Sequence, residues 1–119
     1  WVTYPRGLEA QSRVAADWRA AVDRMAGGAF KPFSQALHVD LSADPDEPPA
    51  PIHLGLSLGR RPLTSLLYRL RNAGIHHVVL NLKQGRRPAA EVIEEMAEHV
   101  LPRFPALATA KTAPDLVSA

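Results

Sequence analysis

The chain has 119 residues, 46% of them apolar, no cysteine and a formal net charge of +2. That length bounds it to one ordinary domain with a real core. It excludes disulfide scaffolds, thiolate metal sites and cysteine nucleophiles. Its basic residues are mixed with acidic ones rather than gathered on one stretch, which argues against nucleic acid as a partner.

No apolar run approaches the roughly 20 residues of a membrane helix, and no signal-peptide pattern is present. With no cysteine to oxidise, the expected compartment is the cytoplasm. The chain opens on "WVTYPRG" without a methionine. The expectation is that a portion precedes it.

Trp1 to Tyr4 is short and β-prone, and Pro5 ends it. From Leu8 the period becomes helical, with Val14, Trp18, Ala21, Val22 and Met25 on one face. Gly27 and Gly28 suit a left-handed helix end. Ser34 to Leu41, "SQALHVDL", reads as a strand. The acidic, proline-rich "SADPDEPPAPIH" that follows has no period and reads as a loop, either a solvated surface segment or a lid.

"RRPLTSLLYRLRNAG" predicts a helix with Leu63, Leu66, Leu67 and Leu70 on its inner stripe, Pro62 in its first turn and Gly74 at its end. "IHHVVLNLK" reads as a third strand. Pro88 then opens a helix with Val92, Ile93, Met96, Ala97 and Val100 facing inward, stopped by Pro102 and Pro105. Residues 106–119 have little to bury and are expected to form a loose tail.

The order β-α-β-α-β-α implies a parallel sheet with right-handed crossovers. Both longer strands alternate. Leu37, Val39 and Leu41 share an aliphatic face, as do Val78, Leu80 and Leu82. The opposite faces carry His38 and Asp40 on one strand and His77, Val79, Asn81 and Lys83 on the other. Helices suit the aliphatic side. The other side grows polar toward the strand ends, as the lumen of a βα barrel does at its C-terminal mouth.

"WVTYPR", "AADWRAAV", "FKPFSQALHVDLSADPDEPPAPIHLGLSLGR" and "NAGIHHVVLNLKQGRRPAAEVIEEMAEHVLPRF" resemble the C-terminal end of luciferase-like flavin-dependent monooxygenases, in the bacterial luciferase-type oxidoreductase branch. The resemblance covers residues 1–105. It implies an α/β fold made of the last three βα units of a TIM barrel, with the N-terminal units absent from this sequence. It implies reduced FMN, or a deazaflavin in its place, at the C-terminal mouth. There the flavin would react with molecular oxygen to oxygenate a small organic substrate. It also implies that most flavin contacts lie in the absent units, and it places a lid at Ser42 to Pro51, although the prolines there restrict movement. A lone 119-residue portion would be inactive and would associate with copies of itself or with the missing portion.

Candidate flavin-binding residues from this chain are Trp1 and Tyr4 at the end of the first strand, Asn81 and Lys83 at the end of the third, and Arg60 and Arg61 before the second helix. "GLSLGRRP" either cradles a phosphate at a helix N-terminus or merely permits a turn beside solvated arginines. "KQGRRP", Lys83 to Pro88, is a second basic turn of the same kind. His38, Asp40, His77 and Asn81 are expected to converge on the lumen, as a hydrogen-bonded polar layer or as a metal site. Two rival classes remain open. One is a βα module that binds a partner through its uncovered face and catalyses nothing. The other is a barrel metal hydrolase.

Overall fold

A computed structural model describes residues 2–3 and 5–106; Trp1, Tyr4 and residues 107–119, and the readings attached to them, lie outside the described residues. The elements follow the expected alternation. Strand β1 is Val2–Thr3, helix α1 is Leu8–Ala26, and strand β2 is Ser34–Leu41. A hairpin of β3 (Ala50–Ile52) and β4 (Gly55–Leu58) leads into α2, Arg60–Asn72. Strand β5 is His77–Asn81, helix α3 is Ala89–His99, and a 3-10 turn at Leu101–Arg103 closes the described chain.

Strand β2 is the centre of the sheet. Along one edge β5 runs parallel to it, from His77 opposite Ser34 to Asn81 opposite His38. Along the other edge β1 pairs in parallel at Ser34 and Gln35, and β4 pairs in parallel from His38 to Leu41. Strand β3 adds antiparallel to β4. The sheet is therefore open and mostly parallel; β1 and β5 flank β2 on opposite edges, so these three lie in chain order, with β4 sharing the β1 edge.

The three described α-helices cover one face. Leu37, Val39 and Leu41 are buried against Leu63 of α2 and against Val92, Met96 and Val100 beyond the turn that follows β5. Ala15 of α1, Phe33, Leu70 and Ile75 form a second cluster beside the first, with Val14 and Trp18 packed against it. Burying this aliphatic surface is the main stabilising term. Helix α1 ends at Gly27, whose φ of 61° is left-handed, as expected for a glycine at that position.

Three expectations are corrected. Met25 is 85% exposed, because the last turn of α1 outruns the layer that would cover it. Ile93 is 56% exposed and Ala97 is exposed; they lie on the flank of α3 away from Val92 and Met96. The loop after β2 is shorter than its composition suggests. Ala50–Ile52 pairs with Gly55–Leu58, and so "GLSL" is a strand rather than a turn.

Gly55 is required by that strand. A Cβ there would overlap the carbonyl of His38, on which β4 packs directly. The hairpin turn holds Leu54 at a φ of 57°, an unfavourable conformation for a leucine. Its carbonyl accepts the His38 N–H at 3.1 Å, which keeps the β2 ladder satisfied where β4 begins.

Candidate functional site

The uncovered sheet face carries the polar residues, and they gather at the C-terminal end of β2. His38 and Asp40 project there because the strand alternates, with Leu37, Val39 and Leu41 taken by the core. Ser57 lies across from Asp40 on β4. The turn after β5 folds over the same end. It is started by Asn81, whose Oδ1 accepts the Lys83 N–H at 2.9 Å, and tightened by a Gly85 N–H bond to the Leu82 carbonyl.

Asp40 is only 6% exposed, and its carboxylate is fully engaged. Oδ1 accepts the Arg86 backbone N–H at 3.1 Å. Oδ2 accepts Arg86 Nε at 2.8 Å and the Ser57 hydroxyl at 3.3 Å. A buried carboxylate needs such partners, and charge-assisted bonds are the strong ones. Beside it the Gln84 side-chain amide bonds His38 Nδ1 and donates to the His53 carbonyl at 3.1 Å. The His53 ring stands edge-on to that of His38, with centroids 6.4 Å apart.

The expected convergence of four residues is thus only partly met. His38 and Asn81 are neighbours in register and Asp40 lies just beyond. His77 does not join them. It sits opposite Ser34, at the far end of β5, about 13 Å along the strand from Asn81. Among the described residues no group of three or more metal-ligating side chains is placed to hold an ion.

Arg60 and Arg61 are the first two residues of α2, and they take different partners. Arg60 Nη1 is 3.4 Å from Glu95 of α3, which also pairs with Arg87 at 3.0 Å. Arg61 is 2.6 Å from Asp46, and the pair is exposed. Both arginines line a groove of about 440 Å³ between α2 and α3, with Tyr68 and His99. The helix N-terminus itself is occupied from within the chain. Gly59 N donates to Glu47 O at 2.9 Å and Arg61 N to Pro45 O at 3.0 Å. A Cβ at Gly59 would overlap the carbonyls of Asp44 and Pro45, so glycine is needed for that closure. The 42–49 segment is therefore anchored to α2, with Asp44 Oδ1 accepting the Asp46 N–H inside it.

In the second basic turn the roles divide. Arg86 serves Asp40. Arg87 reaches Glu95 and the carbonyls of Leu41 and Ser42, tying the turn to the end of β2. The Lys83 ammonium has no partner among the described residues and is exposed.

Sequence reasoning missed Gln84, Ser57 and a second polar pair on the covered face. Gln11 Nε2 donates to Gln35 Oε1 at 2.7 Å, both residues fully or nearly fully buried between α1 and β2, and Arg6 bonds Gln11 at 3.0 Å. The signal for Gln35 was available: it shares the face of Leu37 and Val39. His76, which sequence left without a partner, accepts the Phe33 N–H on Nδ1 at 2.9 Å. Burial, aided by the charge of Arg19, holds its pKa below the ordinary value.

No protein-family model matches the chain, and no curated protein matches it either.

Proposed function

We propose that the chain is the C-terminal part of a luciferase-like flavin-dependent oxidoreductase. In this reading it is a monooxygenase that uses reduced FMN, or a deazaflavin, and molecular oxygen on a small organic substrate. The observation that carries the reading is single-sided winding. Strands β1, β2 and β5 lie in chain order, and the three described α-helices cover one face. Doubly wound sheets reverse strand order and place helices on both faces. A βα barrel keeps the order and keeps its helices outside. The three strands would be the sixth, seventh and eighth of such a barrel, and the uncovered polar face its lumen.

The residues at the C-terminal end suit an electron-rich, anionic flavin. The Asp40 charge is neutralised by Arg86, and Lys83 adds an exposed cation. Asn81 and Lys83 are the residues of this chain that would hold the cofactor. Arg60 and Arg61 would contribute only by leaving Glu95 and Asp46. Bound reduced flavin supplies the electrons and activates oxygen. This chain's part is to orient it, to help exclude water and to hold charge near it. The sheet as described is one wall of a site, so catalysis would need further strands. Association with them, or with a second copy, follows from the free β5 edge. No described helix is long and apolar enough to cross a membrane, and cytoplasmic residence belongs to the same proposal.

The test is an anaerobic titration of the native protein with reduced FMN and with a reduced deazaflavin, followed by tryptophan fluorescence. Saturable binding that weakens in Asn81→Leu and Lys83→Met supports the reading. A native protein that binds neither flavin overturns it in favour of a non-catalytic module that binds through its uncovered face.

A further inference from the structure

We propose that His38, positioned by Gln84, and Arg86 form an oxyanion site at the C-terminal end of the sheet. It receives the carboxylate, sulfonate or phosphate group of the organic substrate. The substrate role rests on the flavin reading above; the anion site does not.

The site is built from unused donors. Asp40 takes three hydrogen bonds, from Arg86 N, Arg86 Nε and Ser57 Oγ, and its charge is paired with the Arg86 guanidinium. The Arg86 side chain is nevertheless 78% exposed. Its Nη2 lies 3.5 Å from Ser57 Oγ, and its Nη1 has no partner among the described residues. Asp40 thus fixes one edge of the guanidinium and leaves the other to solvent. An arginine held this way is pre-organised for a planar oxyanion.

His38 is fixed in a complementary way. With the Gln84 amide bonded to Nδ1, the hydrogen of the neutral ring sits on Nε2 and that nitrogen is a donor. Gln84 cannot turn freely, because the same amide nitrogen also holds the His53 carbonyl. His38 and Asp40 are two residues apart on one face of β2. Their backbones are roughly 7 Å apart, so the guanidinium held by Asp40 lies at the same end of the sheet as the His38 ring. Within this group the only carboxylate is Asp40, which Arg86 neutralises. Glu91 and Glu95 of α3 pair with Arg87.

The experiment titrates the protein with inorganic phosphate at constant ionic strength, with chloride as the control. NMR follows the Arg86 Nε–H and the His38 ring. Expected are saturable shifts with phosphate alone, and at least tenfold weaker binding in Arg86→Gln. Arg86→Gln strands the Asp40 carboxylate and could cost folding, so the Asp40→Asn/Arg86→Gln double variant is measured beside it. That variant removes both charges together and is expected to lose phosphate equally. Equal shifts with chloride, or full affinity in the double variant, would overturn the site. FMN and riboflavin then compete with bound phosphate. If FMN displaces it and riboflavin does not, the site reads the cofactor's phosphate, and the substrate assignment falls. Phosphate binding with no flavin binding leaves the anion site standing and removes the flavin reading; flavin binding without phosphate does the reverse.

Discussion

Val39 and Val79 are the same residue on neighbouring strands, and they meet opposite fates. Val39 points into the helix layer and is 1% exposed; Val79 points to the uncovered face and is 46% exposed. Both faces are equally well specified by alternation. What differs is the cover. On β2 even the uncovered face is partly sheltered, because the turn after β5 and the β3–β4 hairpin close over its C-terminal end and bury Asp40. Strand β5 has no such shelter, and His77, Val79 and Asn81 stay exposed along it. Alternation therefore tells which side a residue faces, while burial depends on what the rest of the chain lays over that side.

The sharpest test of this contrast substitutes both valines. Val39→Ala should cost about 2–3 kcal/mol in urea denaturation, from lost transfer energy and the cavity left behind. Val79→Ala should change stability by less than about 0.5 kcal/mol. In a native protein that covers this face with more strands, the two costs converge, which makes the pair a gauge of whether the face is covered.

A second break targets polarity on the covered side. Gln35→Leu removes the buried hydrogen bond from Gln11 Nε2 and should cost about 1 kcal/mol. Adding Gln11→Leu should recover much of the loss, read as coupling in a double-mutant cycle. The hairpin offers an effect of opposite sign. Leu54→Gly removes the left-handed strain and should stabilise by about 1 kcal/mol, seen as a raised urea midpoint.

A pH effect follows from His76. Its folded-state pKa lies below the ordinary 6.5, so the unfolded chain takes up the proton first as pH falls. Stability is then level above about pH 6.5 and declines below it until the folded form is also protonated. Urea midpoints at about pH 7.5 and 5.5 should differ, and His76→Gln should narrow the difference. The smallest effect belongs to the surface. Arg61→Gln removes an exposed pair with Asp46 and should leave the midpoint within error of the parent.

Much of the fold was legible because long elements carry periodic signals. The bounds of β2, the glycine end of α1 and the leucine stripe of α2 follow from spacing and from where glycine is tolerated. The hairpin was not legible. "API" and "GLSL" are too short to show alternation, and prolines beside them read as loop. Its basis is a close backbone approach at Gly55, which only the folded chain reveals. The site was half legible. His38, Asp40 and Asn81 could be placed at one end of the sheet from alternation alone. Their partners Gln84, Ser57 and Arg86 could not, because the path of a turn over a strand end is set by tertiary hydrogen bonds. His77 shares the alternation of Asn81 but stands at the wrong end, since face does not specify height along a strand.

The anchoring of residues 42–49 has a mechanical consequence. The amides of Gly59 and Arg61, which a helix start ordinarily offers to solvent or ligand, are closed by carbonyls of Glu47 and Pro45. The segment and the first turn of α2 therefore share their hydrogen bonds and open as one unit. Movement at the mouth of the site cannot be a free hinge of the loop; it must fray the helix behind it, and the two would exchange their amide protons together.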